Sequence, residues 1–506
     1  MKSAEHRAVG HAAAAGALVQ VGGHRAGESL VLGYGDVVAL SGDFFASQTR
    51  GAHRGEDSHG QPDGLAADDL FELAAIPGRR GTQFGTRDEI ICALKVMAVD
   101  GDFVDARFEP GGEFSDFRFS PTAAATGVER RVRDRFLTLA AANGDHFVTP
   151  GLPDPAHDHH CLSCPPPSHF GSAVVAYRHL HQIALEEACR LGQCRGDLSR
   201  AMAREAAAQH YLTDAFAAGH LRTPVTAIRH FWHHRYPRFW QGLQRKVAAD
   251  TAAALRELTR AARLLPDDVL YDHALAAVET RTKMFPPINL GDLLARVFHD
   301  WDDSQGLLVE GGGVLFGDGH LDEGVGKQLA VAAARAGIDD IEVAYQLGAS
   351  GSRLRGEALY RAVRSATGAP PNIFRAETWI PVPSADNPPQ NWQAPDIKAL
   401  WNLPIVGTSG ATVGTAVEET LRVGSEVFCR LDRLGPGVFE LPGLLGTPVL
   451  RRWAGRTAAH AYHRGFIHHL AQDPKATVLA VVAQEDSSHA GATSRDRAAD
   501  RLQTAV

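Results

Sequence analysis

From Gly171 to about Ala218 the apolar residues return every three or four positions, first in VVAYRHLHQIALEEACRL and again in LSRAMAREAAAQHYLTDAFAA. That period belongs to one face of an α-helix, and it fixes the middle of the chain as long helices. The same period predicts further helices in KVAADTAAALRELTRAARLL, INLGDLLARVFHDW, GVGKQLAVAAARAGIDDIEVAYQL, ATVGTAVEETLRVGSEVFCRLDRL and AAHAYHRGFIHHLAQ. No internal repeat and no array of alternating strands interrupts it. The expected fold class is mainly α.

Between the helices the chain is punctuated. Residues 1–46 read as a helix, a Gly-rich turn (VGGHRAG) and an apolar segment ending in LGYGDVVALSGDFF. Residues 47–70 are polar and Gly-rich, a loop. A helix is expected after Thr86, which can cap free amides, with Asp88 and Glu89 at the positive end of the dipole. Residues 101–130 are irregular. ERRVRDRFLTLAAANGDHF reads as a helix stopped near Asn143-Gly144, and residues 149–168 as a Pro-rich loop. Residues 370–412 read as a long ordered loop or a boundary. The tail after about residue 484 is polar and expected to fray. A length of 506 residues suggests about two to four compact units.

Composition excludes some classes. The formal charge of −8 gives no general attraction to a phosphate polymer, and no long basic run is present. A stable nucleic-acid complex is therefore not expected. Six cysteines do not make a disulfide framework. Cys161 and Cys164 in HDHHCLSC have metal-ligand spacing, but no second pair stands at finger spacing, so a plain Pro-rich loop is the preferred reading. No window of 18 apolar residues predicts a membrane span. The N-terminus is a poor signal peptide, because its small-residue stretch contains Gly10, His11 and Gly16. The chain as given reads as cytoplasmic, or as secreted if a leader was removed.

Histidine is the outlier, with 25 against four methionines. Neutral imidazole is the commonest protein ligand for a metal. In HYLTDAFAAGH, His210 and Asp214 are four apart, on one helical face and about 6 Å apart along the axis. That spacing lets both groups hold one divalent ion. His220 lies ~15 Å further along an unbent helix and roughly 80° off the direction of His210. Gly219 is placed to loosen the helix end and re-aim it. In FHDWDD, His299 and Asp303 repeat the pairing, with Asp300 and Asp302 as rival oxygen ligands. Asp43 in ALSGDFF, His146 in NGDHF and His6 in EHRAVGHAA are each unremarkable alone, read as a turn residue, a loop residue and a helical histidine.

Together and in this order, these elements resemble the zinc-dependent phospholipase C and single-strand-specific nuclease superfamily. HYLTDAFAAGH fits its His-x3-Asp-x5-His signature without a gap, and His299 with Asp303 fits the His-x3-Asp/Glu pair that follows. Asp43 after an apolar helix, His146 before Phe147, and His6 near the N-terminus match the remaining elements. His59 and His53 are alternatives to His146. The family's chains usually begin with tryptophan, and methionine stands here. The resemblance spans roughly residues 1–348, with insertions at about 47–130 and 225–290. It leaves 349–506 as a C-terminal helical extension of unassigned role.

The resemblance implies a mostly helical core and two or three zinc ions. One would be held by Asp43, His146, His210 and Asp214, and a second by His220, His299 and Asp303. A third would share Asp214 with His6 and the N-terminal amine and carbonyl. It implies an enzyme, a hydrolase of a phosphate ester, in which Asp43 orients the attacking water or accepts its proton. The substrate class is a phosphodiester such as a phospholipid headgroup. The Gln-Pro-Leu-His ending typical of the nuclease branch is absent, which favours a phospholipase C-like phosphodiesterase over a nuclease. A fold reused for another metal-dependent reaction, or as a scaffold, is the further alternative. The stretch AIRHFWHHRYPRFW reads as an aromatic-anchored surface helix rather than a substrate cleft.

Overall fold

A computed structural model describes residues 1–22, 29–45, 90, 93–94, 139, 143–149, 151, 170–258, 262–282, 289–405, 411–422 and 473–485. Most of the helix expected after Thr86 (Ile90, Ala93 and Leu94 are described, and helical), most of ERRVRDRFLTLAAANG, the helix expected in AAHAYHRGFIHHLAQ, His53, His59, the Cys161/Cys164 loop and the tail beyond residue 485 lie outside these residues. Within them the protein is mainly helical. The small sheets are two-stranded. No described helix is long and apolar enough to cross a membrane.

The chain opens with α1 (Ser3–Ala13), then a hairpin of β1 (Leu18–Gly22) and β2 (Ser29–Gly33). The strands pair antiparallel with Leu18 opposite Gly33. Their alternation puts Val19, Val21 and Leu32 inward. The apolar run that follows is α2 (Tyr34–Leu40), which ends at Ser41 and hands the chain to Asp43.

Three helices form the centre: α3 (Ala173–Gln193), α4 (Ser199–Asp214) and, much later in the chain, α10 (Gly326–Ala349). Ser172 starts α3 by accepting the Val175 amide on its side chain. Small residues line the shared faces, with Ala176, Ala184 and Ala188 of α3, Ala201 and Ala208 of α4, and Ala330, Ala333 and Ala344 of α10 all buried. Alanine lets backbones approach closely, and glycine more so. A Cβ on Gly192 of α3 would lie 2.1 Å from the Tyr345 carbonyl oxygen, and one on Gly348 of α10 would lie 2.0 Å from that of Cys189. The α3–α10 crossing is therefore set by these two glycines.

Between α4 and α10 the chain makes α5 (Ala218–Arg222), α6 (Val225–Arg235), α7 (Phe239–Leu258), α8 (Asp267–Thr282) and α9 (Leu290–Gln305). Asn289 caps α9 reciprocally with Asp292. The pair β3 (Leu307–Leu308) and β4 (Val314–Leu315) follows. In AIRHFWHHRYPRFW, Trp232, Tyr236 and Phe239 are buried and the Trp232 indole donates to the Trp392 carbonyl at 2.9 Å. The aromatics are anchors, as read from the sequence.

The described residues after 348 pack on this core. α11 (Gly356–Thr367) lies against α3 and α10, burying Leu359 and Val363 beside Phe374. α12 (Ile397–Trp401) and the helical residues 413–422 and 474–485 share one apolar cluster with α6 and α9.

Replacing Gly348 by alanine should overpack the α3–α10 crossing and cost about 1–3 kcal/mol, read as a lowered denaturant midpoint with an unchanged slope. An unchanged midpoint would show that the crossing has room to spare.

Candidate metal centre

Helix α4 ends at Asp214, and residues 215–217 turn the chain before α5 begins. This break, not a long helix, decides where the third residue of the His-x3-Asp-x5-His run goes. It swings His220 back so that its Nδ1 lies 3.5 Å from Asp214 Oδ1. Gly219 permits the turn to sit tight against α9: a Cβ there would lie 2.6 Å from the His299 carbonyl oxygen and 2.8 Å from Asp303 Oδ2.

Asp214 is fully buried and is the hub. Its Oδ1 lies 3.0 Å from the Met1 amine and 3.2 Å from His6 Nε2, and its Oδ2 lies 2.9 Å from His146 Nδ1 and 3.8 Å from His210 Nε2. His146, delivered by a short 3-10 turn at Asn143–His146, also lies 3.2 Å from His210 Nε2. Asp43, just past α2, brings Oδ1 to 4.0 Å from His210 Nε2, while its Oδ2 accepts the Ser3 hydroxyl. Gly42 makes this approach possible. Its φ is +78°, and a Cβ would sit 2.2 Å from His210 Nε2 and 2.8 Å from His146 Cε1.

On the other side His299 Nε2 lies 3.1 Å from Asp303 Oδ2 and 3.8 Å from Asp318 Oδ2. Asp303 Oδ1 accepts the Gly219 amide at 2.7 Å, which ties α9 to α5. The rival carboxylates named from the sequence are turned to other work. Asp300 Oδ1 takes the His299 Nδ1 proton at 2.8 Å, and Asp302 is held by Arg222 and Gln390. The structure thus brings His6, Asp43, His146, His210, Asp214, His220, His299 and Asp303 into one place.

Sequence reasoning missed Asp318. It lies in the FGDGH turn after β4 and takes φ +35°, a left-handed conformation that few side-chain-bearing residues adopt. Its Oδ1 is 3.1 Å from the Met1 amine. An aspartate between two glycines was the available signal, since aspartate tolerates that conformation better than most residues. Three groups have ligand atoms within 4.8 Å of one another: His6, His210 and Asp214; Asp43, His146 and His210; and His220, His299 and Asp318.

The imidazoles are prepared as ligands. His210 Nδ1 donates to the Val38 carbonyl at 2.9 Å and His220 Nδ1 to the His146 carbonyl at 2.9 Å. His299 Nδ1 donates to Asp300. His6 Nδ1 lies 2.7 Å from Thr213 Oγ1, whose own proton goes to the Gln209 carbonyl, so the histidine is the donor. In all four, the partner of Nδ1 fixes the tautomer and leaves Nε2 facing inward, the arrangement that orients metal-bound histidines.

Charge follows the same plan. Burial holds His210 and His220 well below the usual imidazole range, helped by His6 beside His210 and the Met1 amine beside His220. Both are neutral and need lose no proton to bind a cation. Burial would raise Asp214, but the Met1 amine and the histidines around it hold it well below the usual carboxylate range. Asp43 is raised by burial, with His6 and His146 opposing. Burial also acts against the Met1 amine and His299. Asp214 and Asp318 nevertheless push the amine up to about 12, and Asp303 and Asp318 push His299 up to about 10. Exposure sets the mouth: the side chains of Asp43, His299 and Asp318 are 21%, 12% and 18% exposed, whereas those of His6, His210 and Asp214 are at 0%.

Comparison with known proteins adds no relative: no family model, no curated protein and no solved structure matches the chain.

Two outcomes follow from the geometry. In the metal-free chain at pH 7 the Met1 amine and His299 both carry protons, so loading with zinc should release about one to two protons per chain, read by calorimetry in buffers of different ionisation enthalpy. No release would mean that neither group faces the ions. Asp318→Asn should weaken zinc binding by roughly 10-fold or more at one site while the remaining ions stay; an unaltered isotherm would remove Asp318 from the centre.

Proposed function

We propose that this chain is a metal-dependent hydrolase of a phosphate ester, a phospholipase C-like phosphodiesterase that works with two or three zinc ions. One observation carries the reading: five imidazoles and four carboxylates, drawn from segments more than 300 residues apart, face one another with four Nδ1 protons already spent on outer acceptors. A structural role gives no reason to bury so many metal-binding groups around one shared carboxylate. The resemblance of HYLTDAFAAGH and FHDWD to the superfamily's signatures supports the same reading.

The donor set suits zinc, which takes imidazole nitrogen and carboxylate oxygen. Asp43, His146, His210 and Asp214 would hold one ion, and His220 and His299 with Asp303 or Asp318 a second. His6, Asp214 and the Met1 amine would hold a third. Bound zinc supplies a water of pKa about 7 and a clamp on the attacking and leaving oxygens. Four carboxylates against three divalent ions leave a surplus of positive charge, which suits an anionic phosphoryl group.

The chain's own residues arrange the rest. Asp43 stands at the rim with Oδ2 accepting the Ser3 hydroxyl, so Oδ1 is the atom that would face the ion and orient a water beside it or accept that water's proton. Burial raises its pKa, which improves it as a base. His299 and Asp318 also stand at the rim, where the ion they would hold could stabilise a leaving oxygen. Arg222, pinning Asp302 one residue before Asp303, holds α9 in register with α5.

Protein purified without added zinc should contain at least two ions per chain and hydrolyse a choline phospholipid, with activity lost on chelation and restored by zinc. Asp43→Asn should lower kcat by roughly 10²–10⁴-fold with the ion count reduced by no more than one. Cleavage of single-stranded DNA with the phospholipid untouched would move the assignment to a nuclease. A chain holding no ion or one ion, or inert toward every phosphodiester when loaded, would end the proposal.

A further inference from the structure

A second cluster of buried chemistry-bearing side chains lies in the helical bundle, apart from the centre just described. Helix α3 contributes Tyr177 and His181, α4 contributes Glu205 and Gln209, and α10 contributes Asp340. All five are completely buried. Glu205 is five residues before His210 on α4, about 7.5 Å along the axis and roughly 140° around it. The cluster therefore lies on another face of the same helix.

His181 Nδ1 lies 2.6 Å from Glu205 Oε2. The other oxygen of Glu205 accepts from Gln209 Nε2 at 3.0 Å, and Gln209 Nε2 also donates to the Ala334 carbonyl at 2.8 Å. Glu205 is thus held in place and takes the His181 Nδ1 proton. That orients the ring so that Nε2 is the atom turned toward Asp340; burial opposes a charge there, but Glu205 and Asp340 push His181 up to about 10, so an ion bound at Nε2 would displace a proton. Nε2 faces Asp340 Oδ2 at 3.6 Å, too far for a hydrogen bond. Neither Nε2 nor either oxygen of Asp340 has a hydrogen-bond partner, and the Tyr177 hydroxyl and Gln209 Oε1 have none either. Gly337 of α10 lets these polar groups approach the helix backbone closely: a Cβ there would lie 2.4 Å from Glu205 Oε1 and 3.1 Å from the Tyr177 hydroxyl.

We propose that His181 and Asp340 form a separate metal site inside the bundle, taking one divalent cation, with Glu205 as the outer carboxylate that orients the imidazole. Carboxylate on Nδ1 and open Nε2 is the usual setting of a metal-bound histidine. Ligand bonds of about 2.0–2.2 Å at a tetrahedral angle put neighbouring nitrogen and oxygen ligands roughly 3.4 Å apart, close to the separation found here. Charge points the same way. Two buried carboxylates flank one imidazole, and a divalent ion placed between them would offset both. A proton on Nε2 cancels only one and leaves its N–H out of reach of Asp340. Buried water cancels neither. Tyr177 and Gln209 are the remaining oxygen donors of the same helices. The ion would tie α3, α4 and α10 together behind the helix that presents His210 and Asp214.

The test counts ions independently of hydrolysis. The full chain carrying His210→Ala, Asp214→Asn and His220→Ala is dialysed against zinc, and separately against manganese, at neutral pH and then freed of loose metal. One ion per chain should remain, and it should be lost when His181→Gln or Asp340→Asn is added. In the wild-type chain, Asp340→Asn should remove one ion. No retained ion in the triple variant, or one retained despite His181→Gln, overturns the site. Wild-type crystals soaked in zinc supply a readout without substitution: an anomalous peak between His181 Nε2 and Asp340 is expected, and its absence refutes the proposal. Because the centre is removed in the triple variant, this result stands or falls apart from the phosphodiesterase reading.

Discussion

A carboxylate buried without compensation is among the least tolerable groups a protein interior can hold, and Asp214 sits at zero exposure. Its two oxygens are met by the Met1 amine, His6 and His146, with His210 and His220 close by. Those partners come from α1, the 3-10 turn at residue 146, α4 and α5. The mutual need of one anion and its surrounding imidazoles therefore joins segments far apart in the chain. Removing any one partner leaves a buried charge less compensated. That is why the arrangement depends on several distant residues being right at once.

The helical frame supplies the stiffness this requires. Alanine and glycine at the α3–α4–α10 contacts bring backbones close, so the end of α4 is a fixed platform rather than a fraying terminus. The stop at Asp214 then matters as much as the helix. Continued straight, the helix would carry His220 ~15 Å away from His210. Broken at 215–217, it returns His220 to the same carboxylate. Segments after residue 348 reinforce the outer side, with Gln390 helping to hold Asp302 and the Pro388 carbonyl accepting from Arg222. These described residues of the late chain thus support α9, which carries His299 and Asp303.

Much of the centre was legible because helix geometry is local. His210 with Asp214, and His299 with Asp303, share a face by spacing alone, and each pair lies side by side in the fold. Asp43, His146 and His6 were visible only through the resemblance, since a lone turn or loop residue has no periodicity to reveal its direction. Asp318 was not legible. Its place depends on the turn after β4 bringing it beside His299 of α9, a contact with no local signature beyond two flanking glycines. The bundle cluster was hidden for another reason. His181, Glu205 and Asp340 lie on three helices, and each reads by itself as one polar residue on an amphipathic face.

Among the described residues, the sequence by itself determined the main helices and the His/Asp pairs four residues apart, because both follow from 3.6 residues per turn. Only the tertiary structure decided which pairs share a carboxylate, which of Asp300, Asp302 and Asp303 faces inward, and which ring nitrogen of each histidine is left open. Those choices turn on side chains hundreds of residues apart competing for the same few acceptors. A linear pattern holds no information about that competition until the helices are packed.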